Sequence, residues 1–525
     1  MTVEAIRLQN FMAFKDTGWV GLRPITLLFG RNSSGKSVLT RALLLLRQSL
    51  RSVQKEQPFV LSDLYGVDIG SFREMVHQGD EKSRVCFHFR CKSVEIEEWL
   101  ATSKIAELRT FSTRTLQIEL EYAAHRNESG GVDLSHIDLT RLCIQAVSTD
   151  AQQKVLLFEA MALEPEDVDR FGDEWFVRGL LTEQGKPGAW SGFGCKLDRN
   201  FLDIQFIEPT SPNEATGYQL LKQLLQIPKG EIQKFLEGIV HLGPIRPEPQ
   251  RRYSFSRNTA DEWQRRDWTA FRDFIAGRLN EDEVWEISAW LKRLDLAESV
   301  ETRLVSEVGA LFTEFEVAFQ ESGEAMPLPL SAMGFGASQV LPIIVQCVKA
   351  NQGGLVIIEQ PELHLHPRAQ ACIGDLFIQT TLRKALNEWR KNAKRALDEK
   401  SEMPVAPNFS QELELSGPPG PYLLIETHSE HLLFRLRRRI AETHAYELKR
   451  SQISMQDGYE LPEWLLSKDD LSVQFVYRDK DRESRIVQVD IDAQGELNTS
   501  QAPPQFDDFF ADDLIELAAI VRALI

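Results

Sequence analysis

Cysteine is scarce: six in 525 residues (Cys86, Cys91, Cys143, Cys195, Cys347, Cys372), none in a C-x-x-C pair. That scatter argues against a disulfide frame or a zinc site and predicts reduced, mostly buried thiols. Long hydrophobic runs are absent too, and none approaches the roughly 18 residues a membrane-spanning helix needs. Met1-Thr2-Val3-Glu4-Ala5 lacks a basic-then-apolar leader pattern, so a cytoplasmic protein is expected. Positive charge is in deficit, 60 Lys and Arg against 78 Asp and Glu, a formal net charge of -18. A surface coated for nucleic acid is thereby excluded, and any DNA contact has to come from a local patch. No long heptad repeat interrupts the chain, which excludes an extended coiled-coil arm. What remains is an ordinary globular composition, 42% hydrophobic and 26% charged, long enough for about three domains.

Against that background one stretch stands out. Gly30-Arg31-Asn32-Ser33-Ser34-Gly35-Lys36-Ser37 fits G-x-x-x-x-G-K-[ST] at every fixed position. Glycines let the backbone curl so that its N–H groups wrap the β-phosphate of a nucleotide. Lys36 then sets an ammonium against the β- and γ-phosphates, and the Ser37 hydroxyl ligates Mg²⁺. Ile25 to Phe29 reads as a buried strand feeding the loop. Val38, Leu39, Ala42, Leu43, Leu46 and Leu50 recur at helical spacing after it, so the loop opens a helix whose N-terminus faces the phosphates.

Upstream, Ile6 and Leu8 alternate with polar residues and suggest a half-buried edge strand. In the turn-rich segment 60–80, Gln78 or His77 is placed to reach a nucleotide-bound metal or water, with loop capping as the alternative. Between 84 and 208, short alternating runs such as Val85 to Phe89 and Leu116 to Leu120 predict antiparallel hairpins. Glu164 to Glu174 reads as an acidic loop. From 212 to 325 the period becomes helical (Tyr218, Leu221, Leu225; Ile232, Phe235, Ile239). Within it, His241-Leu242-Gly243-Pro244-Ile245-Arg246-Pro247-Glu248-Pro249 is a fixed connection. Arg246 there is either a phosphate or carboxylate clamp or a surface ion pair.

A second half of the site begins near 330. Gly334-Phe335-Gly336-Ala337-Ser338-Gln339 runs into the apolar helix Val340 to Val345, and small residues at a helix start make a second anion-binding surface. Leu355 to Ile358 is a continuous apolar strand ending in Glu359, then Gln360, Pro361 and Glu362. A carboxylate at such a strand tip beside a phosphate loop is how Mg²⁺ is anchored. His364 and His366 lack further ligands for zinc. Basic residues of 383–395 and the run Arg435, Arg437, Arg438, Arg439 are candidate nucleic-acid patches or solvated faces. Tyr422 to Glu426 is another buried strand, and His428 just beyond its tip is placed to contact a γ-phosphate. Asp490-Ile491-Asp492 reads as a strand edge rather than a nuclease D-x-D.

Taken in order, Leu8-Gln9-Asn10-Phe11, the phosphate loop, the G-x-G-x-S-Q-x-L-P stretch at 334–342, I-E-Q-P-E-L-H-L-H-P at 358–367 and I-E-T-H-S at 425–429 resemble a known group. It is the ABC-type ATPase heads of the SMC, RecF and OLD kind, nearest the stand-alone prokaryotic AAA ATPases with a short C-terminal domain, which the tail at Phe506 to Phe510 resembles. The resemblance implies an α/β fold: a P-loop head with an antiparallel β lobe and a helical insertion. Its divisions are an N-terminal lobe at 1–210, a helical insertion at 211–325, a C-terminal lobe at 326–470 and a tail at 471–525. It also implies ATP and Mg²⁺ as cofactors. Asn32, Ser33, Ser34, Gly35, Lys36, Ser37 and Val38, with Gly336 and Ser338 of a second subunit, would bind the nucleotide. Ser37, Gln78 and Glu359 would serve the metal, and Glu359, Gln360, Glu362 and His428 the chemistry. Gln360 departs from the pattern by standing where most such ATPases carry the catalytic glutamate, which implies slow turnover. Expected partners are a second copy in an ATP-dependent homodimer, with a higher oligomer left open, and an effector nuclease or toxin encoded nearby in anti-phage defence. DNA contact through local patches is a further expectation, membrane contact is not, and the rival role is a DNA-repair or recombination clamp.

Overall fold

The computed structural model describes residues 2–52, 57–92 apart from Tyr65, 115–126, 131–147, 154–162, 175–179, 195–197, 204–206, 229–255, 267–308, 312–323, 326–399, 420–453 and 463–506, with a few single residues between them. The acidic stretch 164–174, the helical run at 218–225 and the tail beyond Phe506 lie outside the described residues.

Two compact units divide the chain. The first comprises Met1–Leu22, Ser34–Ile239 and Tyr477–Ile486. Its frame is an antiparallel sheet with the order Phe14–Asp16, Thr2–Phe11, Val85–Lys92, Thr115–Arg126, Val132–Val147, Lys154–Ala162, Trp175–Gly179. Alternation makes this sheet: Val85, Phe87, Phe89 and Cys91 are fully buried on one face, with Phe11, Phe59, Phe87 and Tyr122 packed ring to ring. The strand carrying Ile6 and Leu8 is not an edge as its alternation suggested. It lies between Val85–Lys92 on one side and the short strands Phe14–Asp16 and Val20–Gly21 on the other. The helix Lys36–Arg51 also belongs to this unit. Gln48 secures its far end, donating to the carbonyls of Val60 and Val67 and accepting from the Val67 N–H.

The second unit is built on a sheet with the order Ile239–Leu242, Leu355–Glu359, Tyr422–Glu426, Ile25–Phe29, Leu471–Arg478, Ser484–Ile491, Leu497–Asn498. Its three central pairings are parallel. Tyr422–Glu426 and Ile25–Phe29 are buried at every position, the reason both read as unbroken apolar runs. Leu471–Arg478, expected to open a separate tail, instead pairs directly with the loop strand and is buried from Leu471 through Val476.

Another departure concerns 211–325. Besides the helices Thr269–Ile275 and Glu281–Arg293, that stretch holds a long antiparallel pair, Ser299–Val308 against Phe312–Gln320, with Tyr253–Phe255 alongside. Phe315, Val317 and Phe319 recur every second residue, a strand signal that the leucine-rich helical run before it overshadowed.

Two long helices, Pro367–Glu399 and Glu430–Ile453, pack together through a buried ion pair. Asp375 accepts from Arg439 through both oxygens, at 2.8 and 2.9 Å, and both residues are buried. Burial pulls the Arg439 guanidinium down, but its bonds to Asp375 and Glu442 outweigh this and leave it raised. Asp375→Ala is therefore expected to lower stability by about 3 kcal/mol, since one buried charge loses its main partner. A wild-type urea midpoint in that variant would contradict the expectation.

Candidate functional site

The phosphate loop leaves Ile25–Phe29 at the same edge where Leu355–Glu359 and Tyr422–Glu426 end. Register proves it: Glu359 lies beside Glu426, and Glu426 beside Leu28. Parallel strands present all their C-terminal tips together, so Gly30, Glu359 and the residues leading to His428 emerge along one edge.

Within the loop, Gly30, Ser33 and Gly35 have φ of 149°, 60° and 108°. Successive turns into this region aim backbone N–H groups inward, the geometry of an anion cradle. Asn32 and Ser33 are exposed, whereas Ser34, Lys36 and Val38 are buried. The Ser34 hydroxyl is buried and has no hydrogen-bond partner among the described residues. No side chain caps the helix that begins at Lys36, and the N-terminal end of a helix favours an anion. A cradle of N–H groups, a lysine and two hydroxyls fits a polyphosphate carrying Mg²⁺. Gly35 has no substitute. Besides its φ, a Cβ there would lie 3.1 Å from Ser484 Oγ and 3.3 Å from the Phe14 ring. Gly35→Ala is expected to cost about 1–3 kcal/mol of local strain and to abolish nucleotide binding, checked by calorimetry on the folded variant.

At the tip of the acid strand the side chains are heavily tied. Glu359 Oε1 lies 2.7 Å from His241 Nε2. Arg246 donates from Nη2 to the Glu359 carbonyl at 2.7 Å and from Nη1 to the Gln360 carbonyl at 3.3 Å. Gln360 has φ 48°, and its N–H donates to the Glu426 carbonyl at 2.7 Å. A non-glycine residue held left-handed stores about 1–3 kcal/mol, which the surrounding bonds must offset. Arg246 is almost wholly buried, and that burial pulls it down to about 10 against the raising effect of Glu362 and Glu359. It is not the surface ion pair that the sequence left open, and its Nη1 and Nη2 groups clamp backbone carbonyls.

Glu362 is also committed. Its Oε2 accepts from Thr427 Oγ1 at 2.7 Å and its Oε1 from the His428 N–H at 2.8 Å. It thereby sets the turn on which His428 sits. Ser429 continues this turn, accepting from Leu432 N–H at the start of the following helix and donating to Gln370.

Other expected residues are less well placed. Gln78 is exposed, with φ 57°, in a short 3-10 turn. His77 beside it lies 3.0 Å from the Met12 carbonyl through Nδ1, the loop-holding role left open for it. Ser338 is 1% exposed within the single chain, and its hydroxyl donates to the Phe335 carbonyl at 2.8 Å. The helix Phe335–Lys349 turns that position into its buried face. Gly336 is wedged, since a Cβ there would come within 2.7 Å of the His364 carbonyl. Gly334 and Phe335 are the exposed residues of this segment. His241 is the participant that sequence reading passed over, although it opens the proline-rich segment that was singled out. Among the described residues no group of three or more His, Cys, Asp or Glu could hold a metal by itself. Mg²⁺ in such sites takes one or two protein ligands and relies on phosphates and water.

Several arginines of the basic runs are paired within the fold. Arg437 bonds Glu496 and the Gly495 carbonyl, Arg438 bonds Glu442, and Arg435 and Arg439 face Asp375. Arg383 pairs with Glu286, and Arg390 donates to the Glu463 carbonyl and stacks on Trp464.

A family model described as "AAA domain, putative AbiEii toxin, Type IV TA system" matches residues 25–131 and 232–433, more than half of the chain. The chain belongs to this AAA-domain family. The matched segments of the AAA domain hold the phosphate loop, the Glu359 strand and the His428 turn, the elements that share one sheet edge. No curated protein matches the chain. Among solved structures it is similar to an SMC head bound to the C-winged helix domain of ScpA, at 10% identity over 93% of this chain and 98% of that one, with a TM-score of 0.37. It is similar also to the SMC head domain from Thermotoga maritima, at 9% identity over 94% and 100%, TM-score 0.34. A third is the Smc head with an extended coiled coil bound to the C-terminal domain of ScpA derived from Pyrococcus furiosus, at 10% identity over 93% and 96%, TM-score 0.34. The α/β P-loop fold of this AAA-domain protein rests on its own strand order and loop geometry.

Proposed function

We propose that the protein is a slow ATPase whose ATP-bound homodimer governs a partner effector, a nuclease or toxin, in anti-phage defence. The observation that carries the ATPase reading is the left-handed phosphate loop leaving the same sheet edge as Glu359 and the His428 turn. In this reading Lys36 and the loop N–H groups hold the triphosphate, Ser37 and Glu359 serve the metal, and His428 meets the γ-phosphate. Gln78 is proposed at the metal with them. Bound Mg²⁺ would neutralise charge on the β- and γ-phosphates. Gln360 orients water but cannot take its proton at neutral pH, so occupancy by ATP rather than rapid hydrolysis sets the state.

The defence role draws on the family description, which names a putative toxin of a type IV TA system. The engagement of the arginine runs within the fold weighs against the DNA-clamp alternative. For assembly, the exposed Gly334 is the better probe than buried Ser338, because a Cβ at Gly334 meets nothing within 4 Å. Gly334→Arg is expected to leave the monomer folded and, with an arginine at both composite sites, to weaken its own ATP-favoured homodimer, read by light scattering with and without ATP. Pooling it with Lys36→Ala chains tests shared sites: a mixed dimer should keep one composite site. If both variants dimerise normally and pooling never restores activity, the sites are built within one chain.

A further inference from the structure

We propose that His241 is a positioning residue for the metal-facing acid, holding one oxygen of Glu359 so that the other is presented to the Mg²⁺ shell. The inference rests on the ATPase reading above and deepens it. An ionised carboxylate only accepts hydrogen bonds, so at 2.7 Å the shared proton belongs to His241 Nε2. This bond engages Oε1 and restrains the plane of the carboxylate, so that Oε2 is the oxygen assigned to the metal shell. Without it, Glu359 could rotate about its last side-chain torsion, which is broad and roughly two-fold.

The device is built rather than incidental, because three contacts converge on one strand tip from one short segment. His241 sits in Ile239–Leu242, the strand next to Leu355–Glu359 in the sheet, and its own N–H donates to Asp267 Oδ2 at 3.2 Å. Five residues on, Arg246 holds the carbonyls of Glu359 and Gln360. Between them Gly243 and Pro244 make the connection short, and Pro247 and Pro249 follow, so the segment has few ways to yield. Arg246 thus pins the backbone of the tip while His241 pins its side chain. The arrangement inverts the usual metal second shell, in which a carboxylate orients a histidine ligand; here a histidine orients a carboxylate. Outer-shell partners of this kind commonly change metal affinity by about 10–100-fold.

The test strips the full-length protein of divalent ions and follows uptake of a fluorescent ATP analogue as Mg²⁺ is added. His241→Ala is expected to need about 10–100-fold more Mg²⁺ for half-maximal uptake, with affinity for metal-free nucleotide unchanged. His241→Gln, whose amide N–H reaches a similar distance, should restore the dependence to within roughly threefold of wild type. A merely structural role would lower metal-free affinity as well and would not be rescued by the amide. A wild-type Mg²⁺ dependence in His241→Ala, or equal impairment in a folded His241→Gln, overturns the inference. If wild-type protein takes up no analogue at any Mg²⁺ concentration, the ATP reading falls and this inference with it. If uptake is normal and Lys36-dependent, a null result at His241 sinks the positioning role alone.

Discussion

Gln360→Glu is expected to raise steady-state ATP turnover by about 10²–10⁴, the usual worth of general-base assistance. The wild-type carboxamide can orient an attacking water but cannot accept its proton. This substitution isolates that difference unusually well. Gln360 holds φ 48° and its backbone bonds go to Arg246 and Glu426, so a glutamate would sit in the same left-handed backbone with the same tethers. Only the terminal group changes. Brisk wild-type turnover that Gln360→Glu leaves unaltered would sink the slow-ATPase reading. Glu362 would then be the next candidate, but Glu362→Gln cannot assign the role by itself. Its two oxygens already accept from Thr427 and the His428 N–H. An amide nitrogen turned toward the His428 N–H would meet donor with donor and disturb the turn. Loss of activity in Glu362→Gln therefore has to be accompanied by an unchanged affinity for ATP before the base moves there.

Lys36→Ala should lower ATP affinity ten- to a hundredfold without unfolding the protein. One charge-assisted contact to a phosphate is worth roughly 1.5–3 kcal/mol, and each 1.4 kcal/mol is a factor of ten. Lys36 is buried at the first turn of its helix, where the N–H groups remain to hold part of the charge. That residue of binding is why the expected loss is large but not total. Gly35→Ala, which distorts the cradle itself, should do more damage than Lys36→Ala does. Calorimetry on folded variants orders the two, and an unchanged affinity in Lys36→Ala would remove the loop from the nucleotide site.

What the sequence determined by itself is whatever the chain's own adjacency enforces. Gly30 to Ser37 can be read because the glycines, the lysine and the serine act through spacing along a few consecutive residues, and the apolar strand before them and helix after them are equally local. The continuous runs at Leu355 and Tyr422 announce buried parallel strands for the same reason, since both faces of such a strand are covered. Tertiary structure alone decided the rest. His241 meets Glu359 across 118 positions and Arg246 reaches the same tip across 113, distances over which no periodicity survives. Arg439 looked like part of a basic patch until the helix pairing set it against Asp375, 64 residues away. Ser338 looked like a surface ligand because a small residue at a helix start suits either a phosphate or a tight packing contact, and composition cannot tell them apart. Leu471–Arg478 joined the loop strand because parallel pairing places no limit on how far along the chain a neighbour comes from. Local chemistry is written in neighbouring residues, whereas partnership between distant ones is decided by which faces the folded sheet and helices bring within reach.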